Sequence, residues 1–159
     1  MTYQPSICVI TPTIGRSTLR RTLESGAEDL AKNDLWLVLG DGPQPEALEI
    51  CKQVDFNCQS AFLESVIPLG DYGNHMRDQA MSIATQDYFL FLDDDDIFVP
   101  NAIQIIKREI AEHYPRPIMF RMINGNGEIL WRTREITPGN IGGSMLCCPN
   151  TPERLGTWA

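Results

Sequence analysis

The chain has 159 residues, 43% of them hydrophobic and 21% charged, with a net charge of −8. This length suits a single domain with a full hydrophobic core, and the composition is ordinary for a soluble protein. The acidic balance argues against a nucleic-acid surface, which needs clustered Lys and Arg; an acidic protein that binds an anion needs a local cation, either a metal ion or a placed arginine.

Ser6 to Thr11 is a short run of apolar and β-branched residues and predicts a first strand. Pro12-Thr13-Ile14-Gly15-Arg16 then turns, and Ser17 or Thr18 can cap a helix running to about Leu30, with Leu19, Leu23, Ala27 and Leu30 on its buried face. Leu35 to Leu39 predicts a second buried strand ending in Gly40-Asp41-Gly42-Pro43, a turn that carries one carboxylate. A short helix is expected over 46–54 and a third strand over 60–67. After the polar loop Leu69 to Asn74, the spacing of Met76, Ala80, Ile83 and Ala84 predicts a helix with Arg77 near its start.

Tyr88-Phe89-Leu90-Phe91-Leu92 reads as a strand buried on both faces, and four consecutive carboxylates, Asp93 to Asp96, follow it with no basic residue between them. A helix is expected over 102–113, ended by Tyr114-Pro115-Arg116-Pro117. Two strands, 118–123 and 128–132, are expected around the hairpin signal Asn124-Gly125-Asn126-Gly127. Ile136 to Cys148 is a Gly-bearing loop running into a last strand. Alternating strands and helices through the first two-thirds of the chain imply an α/β fold with a mostly parallel sheet covered on both faces.

No apolar stretch reaches transmembrane length, and the N-terminus lacks a signal-peptide pattern. Cys8, Cys51, Cys58, Cys147 and Cys148 are odd in number and lack CxxC spacing, which predicts free thiols and a reducing, cytoplasmic setting. The two histidines, His75 and His113, are far apart in sequence and argue against a zinc site.

The Asp run carries the chemistry. Four adjacent carboxylates repel one another, and a divalent cation removes that cost; Mg²⁺ or Mn²⁺ is commonly held by one or two carboxylates plus substrate phosphates. The run lies at the carboxyl end of a central strand, where open α/β sheets place their ligands. In an extended segment, Asp93 and Asp95 would face one way and Asp94 and Asp96 the other. These features together predict a metal–phosphate site.

The chain from about Ser6 to Asn150 resembles the GT-A glycosyltransferases of family 2. The resemblance rests on an ordered set: Thr11-Pro12-Thr13 with Arg16 after the first strand, Gly40-Asp41-Gly42 after the second, Gly73-x-x-x-Arg77-x-x-Ala80 on a helix, and the buried strand running into Asp93-x-Asp95-Asp96. Each piece alone is weak, whereas the set with matched order and spacing is specific. The resemblance implies a Rossmann-like GT-A sheet in a single domain and an inverting transfer from a nucleotide-sugar donor, a UDP-sugar, to a saccharide, lipid or protein acceptor. It implies that Thr11, Pro12 and Thr13 line a nucleoside pocket, with Arg16 beside them on the donor-nucleotide side. Asp41 accepts from the base, and Arg77 meets the base or a phosphate. Asp95 is the favoured metal ligand, with Asp93 or Asp94 reaching the ribose or the metal. Gly142, Gly143 and Ser144 lie beside the sugar and acceptor.

Three departures from the family pattern stand out. Gly40 replaces the first of two acids often found after the second strand, and Met76 and Asp78 flank Arg77 in place of the usual Ala and Asn. Inverting members carry their catalytic base downstream of the Gly-rich strand. Here Glu153 is the only carboxylate after Glu135, and its context does not mark it as a base. The catalytic residue is therefore unassigned, and the expectation is a donor-binding core whose acceptor part is missing or minimal. Two other readings stay open: a non-catalytic nucleotide-sugar-binding module, which the missing base favours, and a sugar nucleotidyltransferase. The single glycine of the turn after the first strand argues against the latter.

Overall fold

The computed structural model describes residues 4–158. Four strands, β1 (Ile7–Thr13), β2 (Leu35–Gly40), β3 (Gln59–Glu64) and β4 (Tyr88–Phe91), lie parallel in the order β3-β2-β1-β4. Two short strands, β5 (Ile118–Met119) and β6 (Leu146–Pro149), complete the sheet beyond β4, each paired antiparallel. The connecting helices are α1 (Leu19–Glu24), α2 (Pro45–Gln53), α3 (Asn74–Ile83) and α4 (Ala102–His113). This is the mostly parallel, Rossmann-like sheet expected from the sequence.

The period of two along each strand divides the core. Ile7 and Val9 of β1, Trp36 and Val38 of β2, and Tyr88 and Leu90 of β4 face one side, where they pack with Leu19 and Leu23 of α1, Ala47 of α2 and Ile103, Ile106 and Ile110 of α4. Cys8, Ile10, Leu37, Leu39, Phe89 and Phe91 face the other, against Met76 and Ala80 of α3. Both faces of β1, β2 and β4 are thus covered, which is why these strands read as continuous apolar runs, whereas edge strand β3 is largely exposed. At the amino end of the sheet, fully buried Asp34 accepts from the Ile7 amide at 2.9 Å, the Ala31 amide at 2.7 Å and the Lys107 ammonium at 2.5 Å. That one carboxylate ties the start of β1 and the turn before β2 to α4.

Four elements differ from expectation. Helix α1 ends at Glu24 and not near Leu30, because Ser25 turns its hydroxyl back onto the Thr22 carbonyl at 2.6 Å and Gly26 lets Phe98 pack where a Cβ would stand only 2.6 Å from its ring. Ala27 and Leu30 remain buried on turns, so the apolar spacing outlasts the helix. β3 stops at Glu64, where Ser65 donates to the Ile67 carbonyl and accepts from the Gly42 amide, both at 2.8 Å. The hairpin turn at Asn124–Gly127 is present, yet its arms amount to one bridge between Ile123 and Ile129, and β5 covers only Ile118–Met119. Ile118 and Phe120 pack against the core, but Ile123 is 62% exposed and Ile129 43% exposed, so the residues next to the turn have no surface to pack on. Among the described residues, no helix is long and apolar enough to cross a membrane.

All five cysteines are free. Burial pushes Cys8 up to about 12 and Cys51, Cys58 and Cys148 up to about 11, and it raises Cys147 as well. A thiol raised in the native state keeps its proton where the unfolded chain has lost it. The resulting stability is fully present below the ordinary value of 9.0 and is lost as pH climbs toward 12. Urea unfolding followed across that alkaline range is expected to show a steep fall in stability, with a shallower slope in Cys8→Ala.

Candidate functional site

A cleft of about 520 Å³ opens at the carboxyl ends of the parallel strands. Pro12, Thr13, Ile14 and Arg16 come from the end of β1 and its following turn, and Asp41 from the end of β2. Gly70, Tyr72, Gly73 and Arg77 come from the loop before α3 and its first turns, and Asp93, Asp94 and Asp95 follow β4. The order β2-β1-β4 sets these three strand ends side by side although they are far apart in the chain.

The Asp run is not extended. The Asp96 amide donates to the Asp93 carbonyl at 3.1 Å, closing a turn, so the alternation expected for an extended segment does not hold. Each carboxylate finds a partner, with Arg16 shared by two of them. Asp93 accepts from Arg77 Nη2. Asp94, only 4% exposed, accepts from the Thr13 hydroxyl at 2.7 Å and the Ile14 amide at 3.4 Å, and its other oxygen lies 3.2 Å from Arg16 Nη1. Asp95 is exposed and meets the same Arg16 nitrogen at 2.5 Å. Asp96 accepts from the Ser144 hydroxyl at 2.6 Å. Burial raises Asp96 above the usual carboxylate range; the Ser144 hydrogen bond opposes this, and the neighbouring Asp charges add to it.

Arg77 is fixed. It is 5% exposed, donates through Nη1 to the Tyr72 carbonyl at 2.8 Å and to Asn74 at 3.3 Å, and lies with its guanidinium carbon 5.0 Å from the centre of the Trp158 ring. Asp41 is equally engaged: its two oxygens accept the Leu69 amide at 2.5 Å and the Gly70 amide at 2.8 Å, which holds that loop against the cleft. Gly73 caps the start of α3 at φ +78°, and a Cβ there would stand 2.7 Å from Pro12, so this position requires glycine on two counts.

Of the residues singled out from sequence, Pro12, Thr13, Arg16, Asp41, Arg77, Asp93, Asp94 and Asp95 line one cleft. Thr11 does not line it. Its buried hydroxyl accepts from Trp36 Nε1 at 3.0 Å, inside the core. Gly142 and Gly143 do not line it either, and Gly143 packs against Trp158. Ser144 stands behind the Asp turn, accepting from the Asp93 amide at 3.2 Å as it donates to Asp96. Sequence reasoning passed over Tyr72 and Trp158. Tyr72, 96% exposed at φ 53°, had only its place in a polar loop as a signal, and Trp158 had none.

The charge on the cleft wall tests whether a divalent cation fits. Four carboxylates face two guanidinium groups, an excess of two negative charges. One cationic nitrogen, Arg16 Nη1, already sits between oxygens of Asp94 and Asp95. Among the described residues, the one trio of acidic, His or Cys side chains with ligand atoms within 4.8 Å of one another is Glu109, Glu112 and His113 of α4, none of which lines the cleft. The Asp turn therefore offers a carboxylate pair and not a full cage. That matches a hard cation which completes its shell with water and substrate phosphates.

The family model for glycosyl transferase family 2 matches residues 8–158. The chain belongs to that family. Solved structures similar to this family 2 domain include the crystal structure of S. aureus TarS 1-349, with 20% identity and a TM-score of 0.74 over 91% of this chain and 47% of that one. The same protein in complex with UDP-GlcNAc gives 20% identity and 0.73 over 91% and 45%. Mannosyltransferase PcManGT from Pyrobaculum calidifontis, in complex with GDP-Man and Mn2+, gives 16% and 0.61 over 75% and 36%. The chain thus spans less than half the length of these structures. No curated protein matches the sequence.

Thr13 is the only side chain donating a hydroxyl to buried Asp94 among the described residues. Thr13→Val is expected to lower stability by about 2 kcal/mol in urea unfolding, as for a lost hydrogen bond to a buried charge. Thr13→Ser should recover most of that loss.

Proposed function

We propose that this chain binds a nucleotide-sugar, a UDP-sugar, together with Mn²⁺ or Mg²⁺, and serves inverting transfer of the sugar to an acceptor hydroxyl. The observation that carries the reading is the excess of two carboxylates on a cleft at the ends of parallel strands. Such a wall repels a diphosphate unless a divalent cation comes with it. The nucleotide-sugars bound to TarS and PcManGT, and the Mn²⁺ bound to PcManGT, support the same reading.

The roles follow from what each group can offer. Asp95, the exposed member of the carboxylate pair, holds the cation, with Asp94 or Asp93 as its partner. A cation held there would supply positive charge against the diphosphate leaving group. Arg77, rigid and buried beside Asp93, presents its charge to a phosphate or the base in the same cleft. Pro12 and Thr13 form the floor on which the nucleoside rests, and Asp41 supplies its remaining lone pairs to the base. Ser144 backs the Asp turn, and with Gly142 and Gly143 before it would lie on the sugar and acceptor side. The five free thiols support a reducing, cytoplasmic setting.

In the transfer itself, the acceptor oxygen bonds to the anomeric carbon while the bond to the diphosphate breaks, and a base takes the acceptor's proton. Among the described residues, the carboxylates lining the cleft are Asp41, Asp93, Asp94 and Asp95, each engaged by an arginine or by backbone amides. That observation favours a second reading, a nucleotide-sugar-binding module without turnover.

Calorimetric titration of UDP into the purified chain, with and without Mn²⁺ and with GDP for comparison, tests the proposal. Binding that requires both Mn²⁺ and UDP is expected, and Asp95→Ala should weaken it by about tenfold or more. No binding of either nucleotide with any metal overturns the reading. Release of free UDP from a UDP-sugar separates transfer or donor hydrolysis from a binding module, and release of pyrophosphate would point to nucleotidyl transfer.

A further inference from the structure

The two arginines of the cleft are held very differently. Arg77 is anchored by a backbone carbonyl, Asn74, Asp93 and the Trp158 ring, and is 5% exposed. The side chain of Arg16 is 47% exposed and reaches across from the turn after β1 to Asp94 and Asp95 through one nitrogen, Nη1. That nitrogen occupies the space between the two carboxylates. A divalent cation binding there needs the same oxygen lone pairs at roughly 2.1 Å, and two cations cannot share them.

We propose that Arg16 is an exchangeable counter-ion: it neutralises Asp94 and Asp95 when the cleft is empty, yields them to a divalent cation, and turns to the diphosphate that arrives with that cation. This rests on the metal–nucleotide reading above and adds a linkage to it. Metal alone must expel Arg16, and diphosphate alone meets an arginine already committed to carboxylates. Each ligand frees what the other needs, so Arg16 makes their binding mutually favourable, and linkage requires the effect to be reciprocal. The geometry suits the exchange: Arg16 lines the same cleft as the carboxylates, and its long stem follows Gly15, itself at φ +81°.

The test is a set of calorimetric titrations on the whole chain with Mn²⁺ alone, UDP alone and UDP in saturating Mn²⁺. In Arg16→Ala, Mn²⁺ alone is expected to bind about fivefold tighter or better, while UDP in the presence of Mn²⁺ binds weaker by a similar factor. These opposite signs are what a merely structural role does not give. Arg20→Ala is the charge control, since Arg20 pairs with Glu24 and Gln53 and not with the Asp turn. It should leave Mn²⁺ affinity within about twofold. Unchanged or weaker Mn²⁺ binding in Arg16→Ala overturns the proposal. So does unchanged UDP affinity in that variant, or equal tightening of Mn²⁺ in Arg20→Ala. If the unsubstituted chain binds neither Mn²⁺ nor UDP, the metal–nucleotide reading fails and this inference falls with it.

Discussion

Four adjacent carboxylates at the end of a buried strand set the constraint from which the rest of the cleft follows. Asp93 to Asp96 cannot spread apart, because β4 is pinned between β1 and β6 and releases the chain at one point. Each acid must therefore meet a donor or a cation where it stands. Asp93 takes Arg77 from α3, Asp94 takes Thr13 and Arg16 from the end of β1, Asp95 shares Arg16, and Asp96 takes Ser144 from the approach to β6. Closing the run into a turn lets four neighbours in sequence reach three separate elements. An extended run could serve only two directions.

The fold supplies those partners through strand order. With β1 central, its end lies between those of β2 and β4, and the chain crosses over the sheet to bring Arg77 into reach. Close approach of α3 to β1 depends on Gly73, since any side chain there would strike Pro12. At the opposite end of the sheet, Asp34 fastens β1 and the turn before β2 to α4 by three hydrogen bonds. The buried ionic groups thus lie at both ends of β1, and the apolar residues fill the length between.

Strands β1, β2 and β4 were legible because both of their faces are buried, which leaves uninterrupted apolar runs such as Tyr88 to Leu92. The residues at strand ends were legible because their types are costly without a purpose: an isolated Asp41 in a glycine turn, or four acids in succession. What could not be read depends on partners distant in the chain. Thr11 and Thr13 look alike in sequence and share one face of β1, but Thr11 lies within the strand, where its hydroxyl meets Trp36 in the core, whereas Thr13 is the strand's last residue and reaches Asp94 at the cleft. The outer arms of the Asn124–Gly127 hairpin carry good strand formers, yet with Ile123 and Ile129 left in solvent the propensity had nothing to pack against. Trp158 carried no periodic or motif signal, because its place over Arg77 is decided by tertiary packing alone.

The chain beyond α4 takes its meaning from this arrangement. Its antiparallel return along β4 looks like a minor addition to a parallel sheet. Yet β6 delivers Ser144 to the back of the Asp turn, where one hydroxyl accepts from the Asp93 amide and donates to the Asp96 carboxylate. The segment after β6 then carries Trp158 onto Phe91, ring centroids 4.8 Å apart, and against Gly143, with the Trp158 amide bound to Asp78 of α3 at 2.8 Å. The same ring supports the Arg77 guanidinium. The last third of the chain is therefore the rear wall that holds Asp93, Asp96 and Arg77 in place. The other side of the cleft carries Arg16 and Asp95, whose side chains are about half exposed. Under the proposed function, such a contrast would let the rigid side define position while the exposed side exchanges charge between a cation and an anion.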